Sequence, residues 1–251
     1  MQNSSSAFPK RYFGTAQLDT SSAADSAFKV DSFIRRSPHK RILVEFIRAL
    51  PQGARLLDIG CGSGKTIRLI YALRPDIRIS GMDITDMHEY LPPYAEFMQG
   101  SVDDLATLYE AQSFDAIICQ HVIEHLVSPL AMMEGISATL TKHGQLYMET
   151  PNWTRLFVPF SHLYFWADYT HIHPYAVTTM SRLCSDFNMK ARIKTASSCR
   201  WFPKRMKKAY GTASTRSLSS SGYDGRGSVS RIFARLVNPL LRDVLIVIAE
   251  K

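Results

Sequence analysis

The sequence predicts an α/β fold, a doubly wound parallel sheet covered by helices on both faces. Short apolar runs alternate with amphipathic segments along the chain, which is typical of repeated β-α units. A glycine-rich turn directly follows the first apolar run. The 251 residues, 45% of them apolar, suffice for one such domain with elaborations.

The N-terminal region divides into an arm and a first helix. Residues 1–33 carry Ser, Thr and Ala without helical periodicity, so we expect a flexible arm before a domain over residues 34–251. Ser37-Pro38 is typical of a helix cap followed by proline at the first helical position. The apolar stripe over Pro38–Leu50 predicts an amphipathic helix.

Strand and helix signals then alternate to the end of the chain. The apolar runs predict strands at Arg55–Ile59, Ile77–Asp83, Glu96–Gln99, Asp115–Cys119, Gln145–Glu149, Met189–Thr195 and Val244–Ala249. Periodic segments predict helices at Lys65–Leu73, after the cap-and-proline pair Ser128-Pro129, and at Pro174–Phe187.

The central motif is the glycine-rich stretch Leu56–Gly64, where a strand ends in an acid and small residues precede a helix. A Walker phosphate loop is excluded because Ile59 stands where its first glycine is needed. A dinucleotide fingerprint is excluded because Lys65 stands at its third glycine. The Asp-x-Gly-x-Gly-x-Gly pattern at Asp58, Gly60, Gly62 and Gly64 resembles motif I of class I S-adenosylmethionine (SAM)-dependent methyltransferases.

A second acid supports this resemblance. Asp83 closes the next strand about twenty residues on, where a carboxylate can accept hydrogen bonds from both hydroxyls of a ribose. The turn Gln99–Leu105 resembles the adenine-contacting turn of the family, in which an acid often follows the glycine. This chain has Ser101 there, so Asp103 becomes a substitute and the Val102 amide a further adenine contact.

Three later segments resemble small-molecule methyltransferases of the ubiquinone-biosynthesis type: Phe114–Leu126, Gly144–Asn152 and Asp168–Tyr175. The resemblance implies a Rossmann-like sheet, mostly parallel with an antiparallel last strand, and SAM as the cofactor. The cofactor-binding residues it implies are Asp58, Gly60, Cys61, Gly62, Asp83, Ile84, Ser101, Val102 and Gln120.

Histidines are the candidates for catalysis. Deprotonating an alcohol or phenol near neutral pH calls for a general base, usually histidine. His121 directly follows the fourth strand and His171 lies in the third similar segment, so these two are the predicted catalytic residues. His121, Glu124 and His125 with His171 and His173 form an alternative metal cluster. Their spacing matches no established metal motif, so we predict no metal.

The net charge of +8 is concentrated near the C-terminus, where Lys190–Arg242 holds thirteen Lys or Arg residues and one acid. We interpret residues 199–242 as a basic insertion before the last strand. Aromatic and basic residues within 201–241 favour contact with an anionic membrane surface or a lipid-linked acceptor, and a solvated loop is the alternative. Four cysteines without paired spacing and a polar N-terminus predict a cytoplasmic protein, peripheral to the membrane if this contact forms.

The function expected is therefore SAM-dependent transfer of a methyl group to a small-molecule or glycan/lipid-linked acceptor at oxygen. One alternative is an RNA or other nucleic-acid methyltransferase that uses the basic segment to bind phosphates. It is disfavoured because Cys119-Gln120-His121-Val122 replaces the Asn/Asp-Pro-Pro-aromatic tetrapeptide of base-amino methyltransferases. A catalytically silent assembly subunit with this fold is the other alternative.

Overall fold

The computed structural model describes residues 29–152, 165, 168–196 and 244–251 of the chain. Its strands are β1 Arg55–Ile59, β2 Arg78–Asp83, β3 Ala95–Gln99, β4 Phe114–Gln120, β5 Leu140–Pro151, β6 Lys190–Ala196 and β7 Val244–Glu250. Together they form one sheet in the order β3-β2-β1-β4-β5-β7-β6. The seven predicted strands are confirmed, and β5 extends beyond the predicted run at both ends.

The direction of the strands agrees with the prediction. Strands β3, β2, β1, β4 and β5 pair in parallel, whereas β7 runs antiparallel to both β5 and β6. The carboxyl ends of β1, β2, β4 and β5 therefore meet at one edge of the sheet. In open α/β sheets this edge is where ligands bind.

Helices cover the sheet. They are α1 Val30–Arg36, α2 Arg41–Ala49, α3 Lys65–Leu73, α4 Leu105–Leu108, α5 Pro129–Thr139 and α6 Val177–Asp186. Ser128 caps α5 as predicted, since its Oγ accepts a hydrogen bond from the Ala131 N–H at 3.4 Å. Helix α6 begins at Val177, three residues after the predicted start at Pro174.

Two predictions about the N-terminal region need correction. Helix α1 begins inside the residues assigned to a flexible arm, because Phe33 is buried and lies 5.3 Å, ring centroid to Nζ, from Lys65 of α3. Residues 1–28 of that arm lie outside the described residues. The predicted helix Pro38–Leu50 is a 3-10 turn, Pro38–Lys40, followed by α2, and the Ser37 side chain makes no capping bond.

Apolar side chains form one core on each face of the sheet. One core contains Leu57 and Ile59 of β1, and the other contains Leu56, so that alternate residues of this strand serve opposite faces. Both faces are thus buried, as expected for parallel strands beneath helices. None of the helices described is long and apolar enough to cross a bilayer. The predicted basic insertion, residues 199–242, lies outside the described residues.

Candidate active site

The glycine turn after β1 is shaped by backbone that only glycine adopts easily. Gly60, Gly62 and Gly64 have φ angles of 70°, 48° and 77°. A Cβ on Gly60 would lie 2.5 Å from Cγ2 of Val122, which follows β4. The N–H groups of Gly60 and Cys61 donate to the Met82 carbonyl at 2.8 and 3.0 Å. The turn is therefore held against β2 by its own backbone.

Asp83, at the end of β2, fixes the other side of this turn. Its side chain is buried, and Oδ2 accepts a hydrogen bond from the Gly62 N–H at 2.9 Å. Oδ1 accepts one from the Thr85 N–H at 3.0 Å. A carboxylate has about four acceptor positions, so two backbone donors leave capacity for further hydroxyl donors.

A cavity of about 200 Å³ opens at this edge of the sheet. Five of the nine predicted cofactor residues line it, namely Gly60, Asp83, Ile84, Ser101 and Val102. The rest of its wall consists of Ile59, Met82, Gly100, His121, Val122, His125 and Leu126. The remaining predicted residues, Asp58, Cys61, Gly62 and Gln120, do not line it. Ser101 uses its Oγ to accept the Asp103 N–H at 3.3 Å, and Asp103 also lies outside the wall.

The residues around this cavity fit SAM. Asp58 Oδ2 is buried and has no hydrogen-bond partner among the described residues. Burial raises the pKa of Asp58 to about 8. The positive charge of Lys40 opposes this rise, and the negative charge of Asp83 adds to it. Asp58 does not line the cavity, so a carboxylate there would favour a cationic ligand such as a sulfonium through its charge and not by direct contact. The close approach at Gly60 and the acceptor capacity of Asp83 suit the rest of a nucleoside ligand.

His121 stands at the end of β4 in an unusual conformation. Its φ is 55°, a left-handed value that costs a non-glycine residue roughly 1–2 kcal/mol. The backbone N–H donates to the Glu149 carbonyl at 2.9 Å, and the ring is 47% exposed in the cavity wall. Nδ1 lies 3.2 Å from Oε1 of Glu124, and Nε2 lies 3.8 Å from Oε2 of Glu149.

Two fully buried carboxylates flank this histidine. Glu124 accepts a second hydrogen bond from Thr150 Oγ1 at 3.0 Å, and Glu149 accepts from Lys40 Nζ and from the Tyr147 hydroxyl. Burial lowers the pKa of His121, but the hydrogen bond and charge of Glu124 and the charge of Glu149 outweigh it. The pKa of His121 is therefore raised.

The sequence groups Glu124 with His121, but it does not single out Lys40 and Glu149 as charged residues of the same site. Burial alone would raise the pKa of Glu149, but Lys40, His121 and His39 reverse that effect and lower it. Lys40 also donates to Gln120 Oε1, and Gln120 Nε2 donates to Thr66 Oγ1 at 2.9 Å. An acid inside the apolar run of β5 was the one available sequence signal, because such a charge requires a buried partner.

His171 does not line the cavity. Its Nδ1 lies 2.7 Å from the Phe165 carbonyl, and its side chain is 13% exposed. The loop that carries His171 packs on the turn after β4, because the Glu124 carbonyl accepts the N–H groups of Ile172 and His173 at 2.7 and 3.2 Å. One ligand atom each from Glu124, His125 and His171 lie within 4.8 Å of one another. In this group, Glu124 Oε1 lies 3.2 Å from His121 Nδ1, and Oε2 accepts from Thr150 Oγ1.

The chain matches a known family model and known proteins. Residues 31–192, well over half of the chain, match the model described as Methyltransferase domain. The ubiquinone biosynthesis O-methyltransferase of Xanthomonas axonopodis pv. citri is 30% identical over 121 residues, covering 45% of this chain and 50% of that protein. That of Actinobacillus pleuropneumoniae serotype 5b is 29% identical over 113 residues, covering 41% and 47%. The matches thus span about half the length of these relatives.

Solved structures share the fold. A SAM-dependent methyltransferase from Archaeoglobus fulgidus superimposes with a TM-score of 0.63 and 18% identity, covering 90% of this chain and 100% of that chain. Phosphoethanolamine N-methyltransferase 2 of Haemonchus contortus, solved with SAM, gives a TM-score of 0.59 and 14% identity, covering 85% and 52%. At these identities the likeness establishes the architecture.

Proposed function

The chain belongs to the class I SAM-dependent methyltransferase family, and on that premise we propose that it methylates an oxygen of a small-molecule acceptor. The observation that carries the proposal is His121, whose ring lies in the cavity wall with Nδ1 against a buried carboxylate. An oxygen acceptor needs to lose a proton during transfer, and this geometry provides a group to take it.

The cofactor side rests on Asp83 and the glycine turn. We assign the ribose hydroxyls to the Asp83 carboxylate, and the adenine side of the cavity to Ile84, Ser101 and Val102. Bound SAM supplies a methyl group made electrophilic by the neighbouring sulfonium. The protein's task is then to orient an acceptor oxygen and exclude competing water.

The acceptor side rests on His121. With Nδ1–H donating to Glu124, the neutral imidazole carries its lone pair on Nε2 and can accept a proton there. The carboxylate favours the resulting imidazolium, as a buried acid beside a catalytic histidine does. His171, whose Nδ1 faces a carbonyl outside the cavity wall, is the second candidate base.

The acceptor class is proposed from two observations. The matching relatives are named O-methyltransferases of ubiquinone biosynthesis, which favours a phenolic hydroxyl. The density of basic residues over 199–242 favours an acceptor on an anionic lipid surface, which includes lipid-linked glycans. Phenols and lipid-linked glycans are therefore the first acceptors to test.

Calorimetric titration with SAM and with S-adenosylhomocysteine tests the cofactor half. We expect Asp83→Ala to weaken binding at least about 100-fold, because it removes hydroxyl acceptors and also the anchor of the Gly62 amide. Asp86→Ala is the matched control, since Asp86 is exposed three residues later and, in the part of the chain that the structure describes, accepts only a local N–H from His88. Folded wild type that binds neither ligand would overturn the proposal.

Methyl transfer from radiolabelled SAM to the acceptor panel tests the second half. We expect product with a phenol or lipid-linked glycan, and a loss of kcat of about 100-fold in His121→Ala at unchanged SAM affinity. Methylation that survives His121→Ala but is lost in His171→Ala would move the base to His171. Transfer only to nitrogen or to RNA would contradict oxygen as the target.

A further inference from the structure

The buried ion pair between Lys40 and Glu149 joins two distant parts of the chain. Lys40 lies in the 3-10 turn before α2, and Glu149 lies near the end of β5. The Lys40 side chain is 13% exposed and that of Glu149 is fully buried. Such pairs cost desolvation and are weak evidence of a gain in stability, so a functional reason is worth seeking.

The pair lies directly against His121. Glu149 Oε2, the oxygen that accepts from Lys40, is 3.8 Å from His121 Nε2. The Glu149 carbonyl also accepts the His121 N–H at 2.9 Å, which holds the residue in its left-handed conformation. One residue of β5 thus contacts both the backbone and the ring region of His121.

We propose that Glu149 is a positioning residue for His121 and that Lys40, as its counter-ion, limits the charge that His121 experiences. This inference deepens the proposed function and rests on it, since His121 is the proposed base. It makes the 3-10 turn before α2 a part of the acceptor side of the site. An element of the fold outside the strand ends would then adjust the base.

The charges around His121 determine the direction in which each neighbour shifts its pKa. Glu124 and Glu149 favour the imidazolium, whereas Lys40 opposes it. Lys40 therefore opposes protonation of His121, and only the unprotonated ring can take a proton from an acceptor. Removing Glu149 or Lys40 should move the pKa of His121 in opposite directions.

The Lys40 ammonium also reaches toward the cofactor side. It donates to Gln120 Oε1, and Gln120 in turn donates to Thr66 in the first turn of α3, directly after the glycine turn. Thr66, Gln120, Lys40 and Glu149 are therefore linked by consecutive hydrogen bonds that end beside His121. This series of hydrogen bonds orients the Lys40 ammonium from two sides and explains its placement at Glu149.

The test is an NMR titration of the His121 ring, assigned by comparison with His121→Asn, in the full-length protein with SAM absent and present. We expect Glu149→Gln to lower the pKa of His121 and Lys40→Met to raise it, each by at least about half a unit. The double variant should return toward wild type, because it removes both charges. Shifts in one common direction, or no shift, would overturn the proposal.

Tyr147→Phe is the matched control. It removes another hydrogen bond to Glu149 while keeping the carboxylate and Lys40, so it should lower stability without moving the pKa of His121. If Glu149→Gln does not fold, Lys40→Met and the double variant still decide the direction. None of these readouts needs an acceptor, so a failed acceptor screen contradicts the proposed function while the titration still decides the role of Glu149.

Discussion

The cofactor side and the acceptor side of the cavity are built in different ways. On the cofactor side, backbone groups make the main hydrogen bonds. The turn after β1 donates to the Met82 carbonyl, and Asp83 accepts two backbone N–H groups. On the acceptor side, side chains bond to side chains across the fold. Lys40 reaches Gln120 and Glu149, which are 80 and 109 residues away in the sequence.

The cofactor side therefore depends mainly on shape, and the acceptor side depends mainly on charge. In the proposed function, the cofactor side selects its ligand by conformations that glycine permits and by one carboxylate, so steric substitutions should affect it most. The acceptor side holds two buried carboxylates, one ammonium and a histidine close together, so changes of charge and hydrogen bonding should affect it most. Substitutions on each side therefore test this difference.

The largest effect is expected at Gly60. Gly60→Ala places a Cβ 2.5 Å from Val122 Cγ2 in a backbone with φ of 70°, so the turn or the cavity wall must move. We expect SAM affinity to fall at least about 100-fold, or about 3 kcal/mol, in calorimetric titration.

Gly62→Ala provides the matched control for Gly60. Its φ is 48°, but apart from its two chain neighbours none of the described residues comes within 4 Å of the added Cβ, so it carries the backbone cost without the clash. We expect a loss of affinity of about tenfold or less. Equal losses in the two variants would show that backbone conformation alone, and not the contact with Val122, shapes the cofactor side.

The same contrast explains what the sequence could predict. The glycine turn and Asp83 depend on residues close together in sequence, and all seven strands were located from local sequence patterns. Lys40 lies near the start of the predicted helix Pro38–Leu50, and Glu149 lies at the end of a predicted strand. Their pairing depends on where α2 lies over the sheet, which no local pattern reports. For the same reason Phe33 was placed in an arm, although tertiary packing buries it.

An intermediate effect is expected at Asp58, which does not line the cavity. Burial raises its pKa in the native protein to about 8 from an ordinary 3.8. Between these values the native state retains a proton that the unfolded state has lost, so the free energy of unfolding falls as pH rises. From pH 6 to pH 8 we expect the loss of stability in wild type to exceed that in Asp58→Asn by about 2 kcal/mol, measured by urea denaturation.

Asp115→Asn is the control for this pH dependence. Its hydrogen bonds with Arg55 hold the pKa of Asp115 below the ordinary value, so the carboxylate is ionised in both states throughout this range. The variant should keep the wild-type slope. If Asp58→Asn keeps that slope as well, the buried acid is already ionised at pH 6, and Lys40 compensates it more strongly than burial penalises it.

The smallest effect is expected from Thr150, behind the acceptor side. Thr150→Val keeps the side-chain volume but removes the hydroxyl that donates to Glu124 Oε2 at 3.0 Å, and both residues are fully buried. A buried carboxylate that loses one donor destabilises the protein by about 1 kcal/mol or somewhat more, which urea denaturation measures. Thr150→Ser keeps the donor and loses a methyl group, so it separates the hydrogen bond from packing.

SAM affinity should be unchanged in both variants, because Thr150 does not line the cavity. A fall in SAM affinity confined to Thr150→Val would show that the two sides are coupled through Glu124, and that the division between them is wrong.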